Sequence, residues 1–266
     1  VMLNLIAADA AAGRGLLLLD PKGDLARDVL TVIPNSRHAD IVVIDPTSSR
    51  PVGLNPLASG TANPHLTADT LLATFESIFA ASWGIRTADI LTAAFLTLAR
   101  AEGATLIWLP ALLTNPAFRR RVLKKAGKDP IGTDDFWSRY EAKKPELQAT
   151  EIAPVLNKIR QFILRPSLRA TLGQSDPQFD LAELFTKRRI VVVNLNTGVL
   201  GADAAKLLGS LLIGQLWSLI LRRASLPNER RHVTPIYIDE AADFLAGIPG
   251  DLTDALAQSR SLGVPF

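Results

Sequence analysis

The chain has no cysteine, and its three histidines, His38, His65 and His232, are scattered without ligand spacing. Disulfides, thiolate metal sites and histidine-built zinc centres are therefore excluded, and any metal would be held through oxygen. Nowhere in the 266 residues is there a glycine-rich G-x-x-x-x-G-K-[ST] loop, so the phosphate cradle of a P-loop enzyme is absent from this stretch. Aromatic residues reach only 6% and do not interleave with the basic runs, which removes the stacking signal of a single-strand nucleic-acid platform. The longest apolar run, Leu207 to Leu221, is broken by Gly209, Ser210, Gly214, Gln215 and Ser218. It falls short of the roughly 20 residues that span a bilayer and reads as a buried helix. The first residues carry no basic n-region and no cleavage site.

What remains is a chain with 48% hydrophobic residues, enough for one large core or a core with a sizeable insertion, and no more than two domains. A formal charge of +3 permits a polyanionic partner without requiring one. The chain begins inside an apolar helical pattern and stops at Gly263-Val264-Pro265-Phe266, where a strand is starting. It is therefore read as part of a longer protein.

Residues 1–58 alternate helix and strand. A helix runs to about Ala12, a strand over Leu16 to Leu19, a helix over Asp24 to Ile33 and a strand over Ile41 to Ile44. The same grammar returns in 174–266, with strands at Ile190 to Leu195 and Ile236 to Ile238, and helices at Ala202 to Arg223 and Asp251 to Leu262. Short, wholly apolar strands are those of a mainly parallel sheet covered on both faces, so the two ends form one α/β core. Between them, 59–173 shows helical spacing and no β run, as in Leu71, Leu72, Phe75, Ile78, Phe79 and Ile90, Leu91, Phe95, Leu98. This predicts an all-α insertion domain, with Thr133 and Ser167 as N-caps and a kink or restart at Pro154. Trp137 and Tyr140, three apart on a helix, are read as packing residues.

The strand ending in Asp239-Glu240 places two adjacent acids at the carboxyl edge of the sheet, where α/β proteins bind ligands. Two acids there can divide the work of ATP hydrolysis. Asp239 would hold Mg2+, and Glu240 would orient the water that attacks the γ-phosphate. A strand simply running into a polar loop would give the same two letters. Asp20 and Lys22, in Asp20-Pro21-Lys22-Gly23-Asp24, reach the same edge and are candidates to contact a nucleotide; Lys22 could also meet a DNA strand. A well-formed strand-to-helix turn explains them equally well. Asn194 to Gly198 puts further polar groups at that edge, with a turn as the simpler reading. The basic runs Arg119, Arg120, Arg121, Lys124, Lys125 and Lys187, Arg188, Arg189 could contact phosphates or be solvated faces.

Taken in order, these segments resemble the motor domain of the TraG/TraD-type conjugative coupling ATPases, in the FtsK/HerA group. The resemblance rests on Leu16 to Leu25 (LLLLDPKGDL), on Val52 to Leu57, on Ser82-Trp83-Gly84 with Asp89-Ile90-Leu91, on Ile190 to Leu200 (IVVVNLNTGVL), on the helix ending in Leu216-Trp217 and on Asp239-Glu240. In that family the glycine-rich loop would directly precede Val1, and Ala241-Ala242-Asp243-Phe244 replaces a more polar-aromatic continuation. The resemblance implies a RecA-like P-loop NTPase core, ATP and Mg2+ as ligands, and a ring, a hexamer in that family, that drives single- or double-stranded DNA through its pore. It implies a relaxase or other secretion substrate and a membrane secretion channel as partners, reached through regions outside this sequence, and a cytoplasmic location at the inner membrane. Arg260, in Gln258-Ser259-Arg260, becomes a candidate for insertion into a neighbouring subunit's γ-phosphate site; a solvated arginine at a helix end is the alternative. Without the loop, this stretch alone is expected to bind ATP poorly. Two other functions fit the same letters: a non-catalytic docking module for secretion substrates, and a P-loop NTPase acting on something other than DNA.

Overall fold

Each apolar run of the core becomes a strand, because branched and leucine side chains on both sides of an extended backbone can be buried only between two layers of helix. The computed structural model describes residues 1–57, 63–241, 244, 245 and 252–266. In chain order the elements are α1 (Met2–Ala11), β1 (Leu16–Asp20), α2 (Asp24–Val32), β2 (Ile41–Ile44), α3 (Pro64–Ile78), α4 (Ile85–Arg100), α5 (Leu109–Thr114), α6 (Pro116–Ala126), α7 (Thr133–Glu141), α8 (Pro145–Ile163) and α9 (Pro166–Leu172). There follow α10 (Glu183–Thr186), β3 (Ile190–Asn194), α11 (Thr197–Leu200), α12 (Ala202–Arg222), β4 (Ile236–Ile238) and α13 (Leu252–Ser261). Asp251, expected to open α13, lies outside the described residues, as does the expected domain boundary at 58 and 59.

Contacts divide the chain into two units, one of residues 1–54 with 177–266 and one of residues 55–176. In the first, the four strands form an all-parallel sheet in the order β2-β3-β1-β4. β3 comes from far along the chain and inserts between β1 and β2. Leu16, Leu18, Ile190 and Val192 point to the face packed with Ile6 and Ala10 of α1 and Ala26 and Val29 of α2. Leu17, Leu19, Val191 and Val193 alternate to the opposite face and are buried as fully. On the outer side of β4, the N–H groups of Thr234 and Ile236 donate to the Gly263 and Pro265 carbonyls, at 2.9 and 2.8 Å, so an extended segment lies alongside that strand.

α12 corrects one expectation. With its 3-10 extension it runs over Ala202–Ser225, long and apolar enough by length and composition to cross a membrane, because the helix begins well before Leu207. Nearly every residue from Ala204 to Ile220 is buried inside the protein. Gly209 lets Phe244 lie against this helix, since a Cβ there would stand 2.3 Å from the phenyl ring. Of the run after Glu240, Ala242 and Asp243 lie outside the described residues, and Phe244 is an anchor in the core.

The second unit contains helices and no strand among its described residues. α8 passes through Pro154 without a restart. Pro154 and Thr150 are both exposed, so the Thr150 carbonyl that loses its i+4 donor can face water. The buried side of the helix, Ile152, Val155, Leu156, Ile159 and Phe162, keeps it one continuous helix. Neither expected N-cap caps. Thr133 is already the first residue of α7, and its N–H and hydroxyl bond Asp129 Oδ2 at 3.2 and 3.4 Å. Pro166 opens α9 and pushes Ser167 inside it. The side-chain caps are Asn63, accepting from His65 and Leu66 N–H, and Asn115, accepting from Phe118 N–H. Each is followed by proline at the first helical position, the preferred start.

Candidate functional site

The parallel register sets four polar residues in a row across the carboxyl edge of the sheet. Asp20 pairs with Asn194. Asp45 follows Ile44, which pairs with Val193, and its Oδ2 accepts from Asn194 Nδ2 at 3.2 Å. On the other side Leu19 pairs with Ile238, and the Asp239 N–H donates to the Leu19 carbonyl at 3.0 Å. Asp45 was not singled out from the sequence. Its signal was there: Ile41 to Pro46 repeats the apolar-run-Asp-Pro grammar of Leu16 to Pro21.

Asp20, expected to reach a nucleotide or its water shell, is fully buried. Its two carboxylate oxygens accept the backbone N–H groups of Lys22 and Ala26, both at 2.8 Å. The second bond satisfies one of the free donors in the first turn of α2, so Asp20 does the work of an N-cap from four residues upstream. The turn is fastened again by Leu195 N–H to the Asp20 carbonyl at 3.0 Å and by Thr197 N–H to the Pro21 carbonyl at 2.8 Å. Gly23 is left-handed, with φ 92°, and a Cβ on it would meet Asn194 Oδ1 at 2.6 Å, so glycine is required on both counts. Replacing Asp20 with alanine leaves two N–H groups without partners and is expected to cost about 2–4 kcal/mol; asparagine, which keeps one acceptor, should cost about half as much. Urea denaturation of the two variants measures this, and a loss below about 1 kcal/mol for Asp20→Ala would show that the turn does not depend on the carboxylate.

From this anchored turn Lys22 projects into solvent and meets Glu240. Its Nζ lies 2.5 Å from Glu240 Oε1, with the two side chains 62% and 45% exposed. The hydrogen bond that Lys22 donates to Glu240, and then the Coulomb attraction of the same carboxylate, hold the Lys22 ammonium above its ordinary pKa; Asp239 and Asp20 add to this. Glu240 has φ 53°, in the left-handed region that glutamate rarely adopts. Such strain is maintained only where surrounding structure fixes it, and it recurs at sites of chemistry. Asp239, on the last turn of backbone before it, is half-buried. The structure thus brings Lys22, Asp239 and Glu240 together and places Asp20 beneath them.

Tyr237 is partly buried against the α1 and α2 side of the sheet. Its hydroxyl donates to the Asp9 carboxylate, which also pairs with Arg14. Burial first, and then the bond to Asp9, push the phenol pKa far up, so it stays a neutral donor. Among the described residues no cluster of three or more histidine, aspartate or glutamate side chains could cage a metal. A single strand-end carboxylate suits Mg2+, which keeps most of its waters and takes one or two protein carboxylates together with substrate phosphates.

Arg260 is exposed in the last turn of α13, while the neighbouring Ser259 is fully buried. The basic runs separate in the same way. Arg119 is 1% exposed and belongs to the helical core. Lys125 donates to the Glu102 carbonyl at 3.3 Å and lies over Trp108. Lys187 and Arg189 pair with Glu183 at 3.0 and 3.1 Å, and Arg189 also donates to the Ala39 carbonyl at 2.7 Å. Lys187 and Arg189 stand just before the amino end of β3, and Arg37 donates to the Ala10 and Arg188 carbonyls at 2.9 and 2.7 Å.

No protein-family model matches this sequence. No curated protein matches it either. Solved structures do. The unbound bacterial conjugative coupling protein TrwBdeltaN70 aligns over 99% of this chain and 57% of its own, with TM-score 0.60 and 15% identity. The plasmid coupling protein TrwB with the non-hydrolysable ATP analogue ADPNP aligns over 100% of this chain and 59% of its own, with TM-score 0.62 and 14% identity. TrwB with ADP and Mg2+ aligns over 99% and 58%, with TM-score 0.59 and 14% identity. This chain thus spans less than two thirds of the length of those proteins. The fold of this chain, a parallel sheet flanked by helices, is similar to that of the conjugative coupling protein TrwB.

Proposed function

We propose that this chain is part of an ATP-hydrolysing motor of a conjugative or type IV secretion DNA-transfer system. The observation that carries the proposal is the Asp239-Glu240 pair at the carboxyl edge, with Glu240 strained and exposed beside a cation. The same fold in structures holding an ATP analogue, or ADP with Mg2+, supports it. Asp239 would hold Mg2+, directly or through a water, and the ion would supply positive charge that offsets that of the phosphates. Glu240 accepts a hydrogen bond from the attacking water and draws its proton away from the γ-phosphate. Asp20 builds the turn that presents Lys22 at this edge. The glycine-rich cradle for the phosphates is not among these residues, so every test uses the full-length protein.

The motor reading extends to a ring of subunits around DNA, with a relaxase or other secretion substrate as cargo and a location at the cytoplasmic side of a membrane channel. Arg260 then serves a neighbouring subunit's site. Mixing Arg260→Ala subunits with Glu240→Gln subunits should lower hydrolysis more steeply than dilution of active subunits does; a decline equal to simple dilution would show that Arg260 is not shared. The reading as a whole is tested by DNA-stimulated ATP hydrolysis and its loss when the Glu240 carboxylate is removed.

A further inference from the structure

The Lys22–Glu240 ion pair joins the two exposed charges of the site and leaves the acid engaged. A carboxylate oxygen that already accepts a hydrogen bond from an ammonium group is less available to accept one from a water. Neither group drifts freely into this contact. Lys22 stands on a turn fixed by Asp20, Leu195 and Thr197, and Glu240 stands on a backbone held at φ 53°. We propose that Lys22 is a latch that holds the Glu240 carboxylate in the resting site, and that a phosphodiester group of DNA takes the ammonium away and frees Glu240 for hydrolysis.

The proposal rests on the hydrolytic reading of Asp239-Glu240. The exchange is physically mild. Both side chains are substantially exposed, exposed pairs are weak and screened by salt, and the incoming phosphodiester carries the same single negative charge as the carboxylate it displaces. A lysine ammonium ordinarily titrates at about 10.4 and has an anion beside it in either state, so Lys22 stays charged in both. The latch therefore works by exchange of partners, with no change of protonation. Hydrolysis is thereby coupled to cargo: without DNA the acid is engaged, and with DNA it is free.

The experiment measures kcat and KM for ATP with and without DNA for the full-length wild type, Lys22→Met, Lys22→Arg and Glu240→Gln. Lys22→Met should raise DNA-free kcat by about threefold to fivefold, the scale of an exposed ion pair's hold on its partner. Its rate at saturating DNA should stay near that of the wild type, so the stimulation ratio falls toward one. Lys22→Arg, which keeps the charge, should keep the ratio. A lower DNA-free kcat in Lys22→Met, or an unchanged ratio, overturns the latch. A raised KM for ATP with unchanged DNA stimulation would make Lys22 a nucleotide ligand and overturn it too. Wild-type hydrolysis that DNA does not stimulate is equally fatal to it. Glu240→Gln separates the two levels: hydrolysis that survives this change sinks the hydrolytic reading itself, whereas its loss confines any failure to the latch.

Discussion

Glu240→Gln is expected to lower ATP hydrolysis by the full-length protein by about 10²–10⁴-fold, the usual contribution of a positioned general base. ATP binding should be nearly unchanged. Glutamine matches glutamate in shape, so the left-handed backbone at φ 53° and the packing of the loop are undisturbed, and its amide oxygen can still accept a hydrogen bond from Lys22. What it lacks is the negative charge that draws a proton from water. On the proposed mechanism Asp239 would still hold Mg2+, so the defect should fall on kcat rather than on KM. Asp239→Asn should differ in kind, with hydrolysis partly restored by higher Mg2+. Steady-state kinetics of the two variants beside nucleotide binding provide the check. Hydrolysis within about threefold of wild type in Glu240→Gln would remove Glu240 from the chemistry and leave the core as scaffold for another function.

Arg119→Ala should destabilise the helical unit by about 2–4 kcal/mol, because two buried carbonyls lose their donor and the space the guanidinium filled is left empty. Arg119 is 1% exposed. Its Nε donates to Glu141 Oε1 at 2.9 Å, and its Nη1 donates to the carbonyls of Leu112 and Leu113 at 3.0 and 3.2 Å. Those carbonyls lie in the last turn of α5, where a cation is favoured by the helix dipole. The guanidinium also lies over the Trp137 and Tyr140 rings, 5.7 and 5.0 Å from their centroids. Alanine removes all of these at once and opens a cavity beneath Trp137, whose indole N–H is otherwise held by Thr97 Oγ1 at 2.9 Å. Three of the four tryptophans, Trp83, Trp108 and Trp137, lie in this unit, so urea unfolding followed by tryptophan fluorescence reports it. Arg120→Ala, on an exposed neighbour, is the control and should change stability by about 0.5 kcal/mol or less. Equal effects from the two would contradict the buried role of Arg119.

The contrast between Arg119 and its neighbours shows where sequence reasoning stops. Five cations in Arg119 to Lys125 read as one basic run, but one of them is a core residue and another lies over an aromatic ring. Residue type gives the charge and not the partner. Asp20 teaches the same lesson from the other side, since an acid after an apolar strand reads as a ligand-facing group until the N–H of Ala26 is found bonded to it. Thr133 fails as a cap because Asp129, four residues earlier, is already bonded to the start of α7. Pro154 fails as a break because the buried face of α8 outweighs one missing hydrogen bond at an exposed position.

By itself, the sequence determined the features that depend on near neighbours. Short apolar runs bounded by turn residues determined all four strands, their parallel character and the acids at the ends of β1 and β4; helical spacing of leucine and phenylalanine determined the absence of strands from 63–176 among the described residues. Only the tertiary structure decided the order β2-β3-β1-β4, which places β3 between strands it follows by far in the chain, and only that order and register bring Lys22 to Glu240. The physical reason is one of range. Periodicity and turn chemistry are written in residues a few positions apart, whereas strand order and the pairing of charges are set by which surfaces bury one another across the whole core.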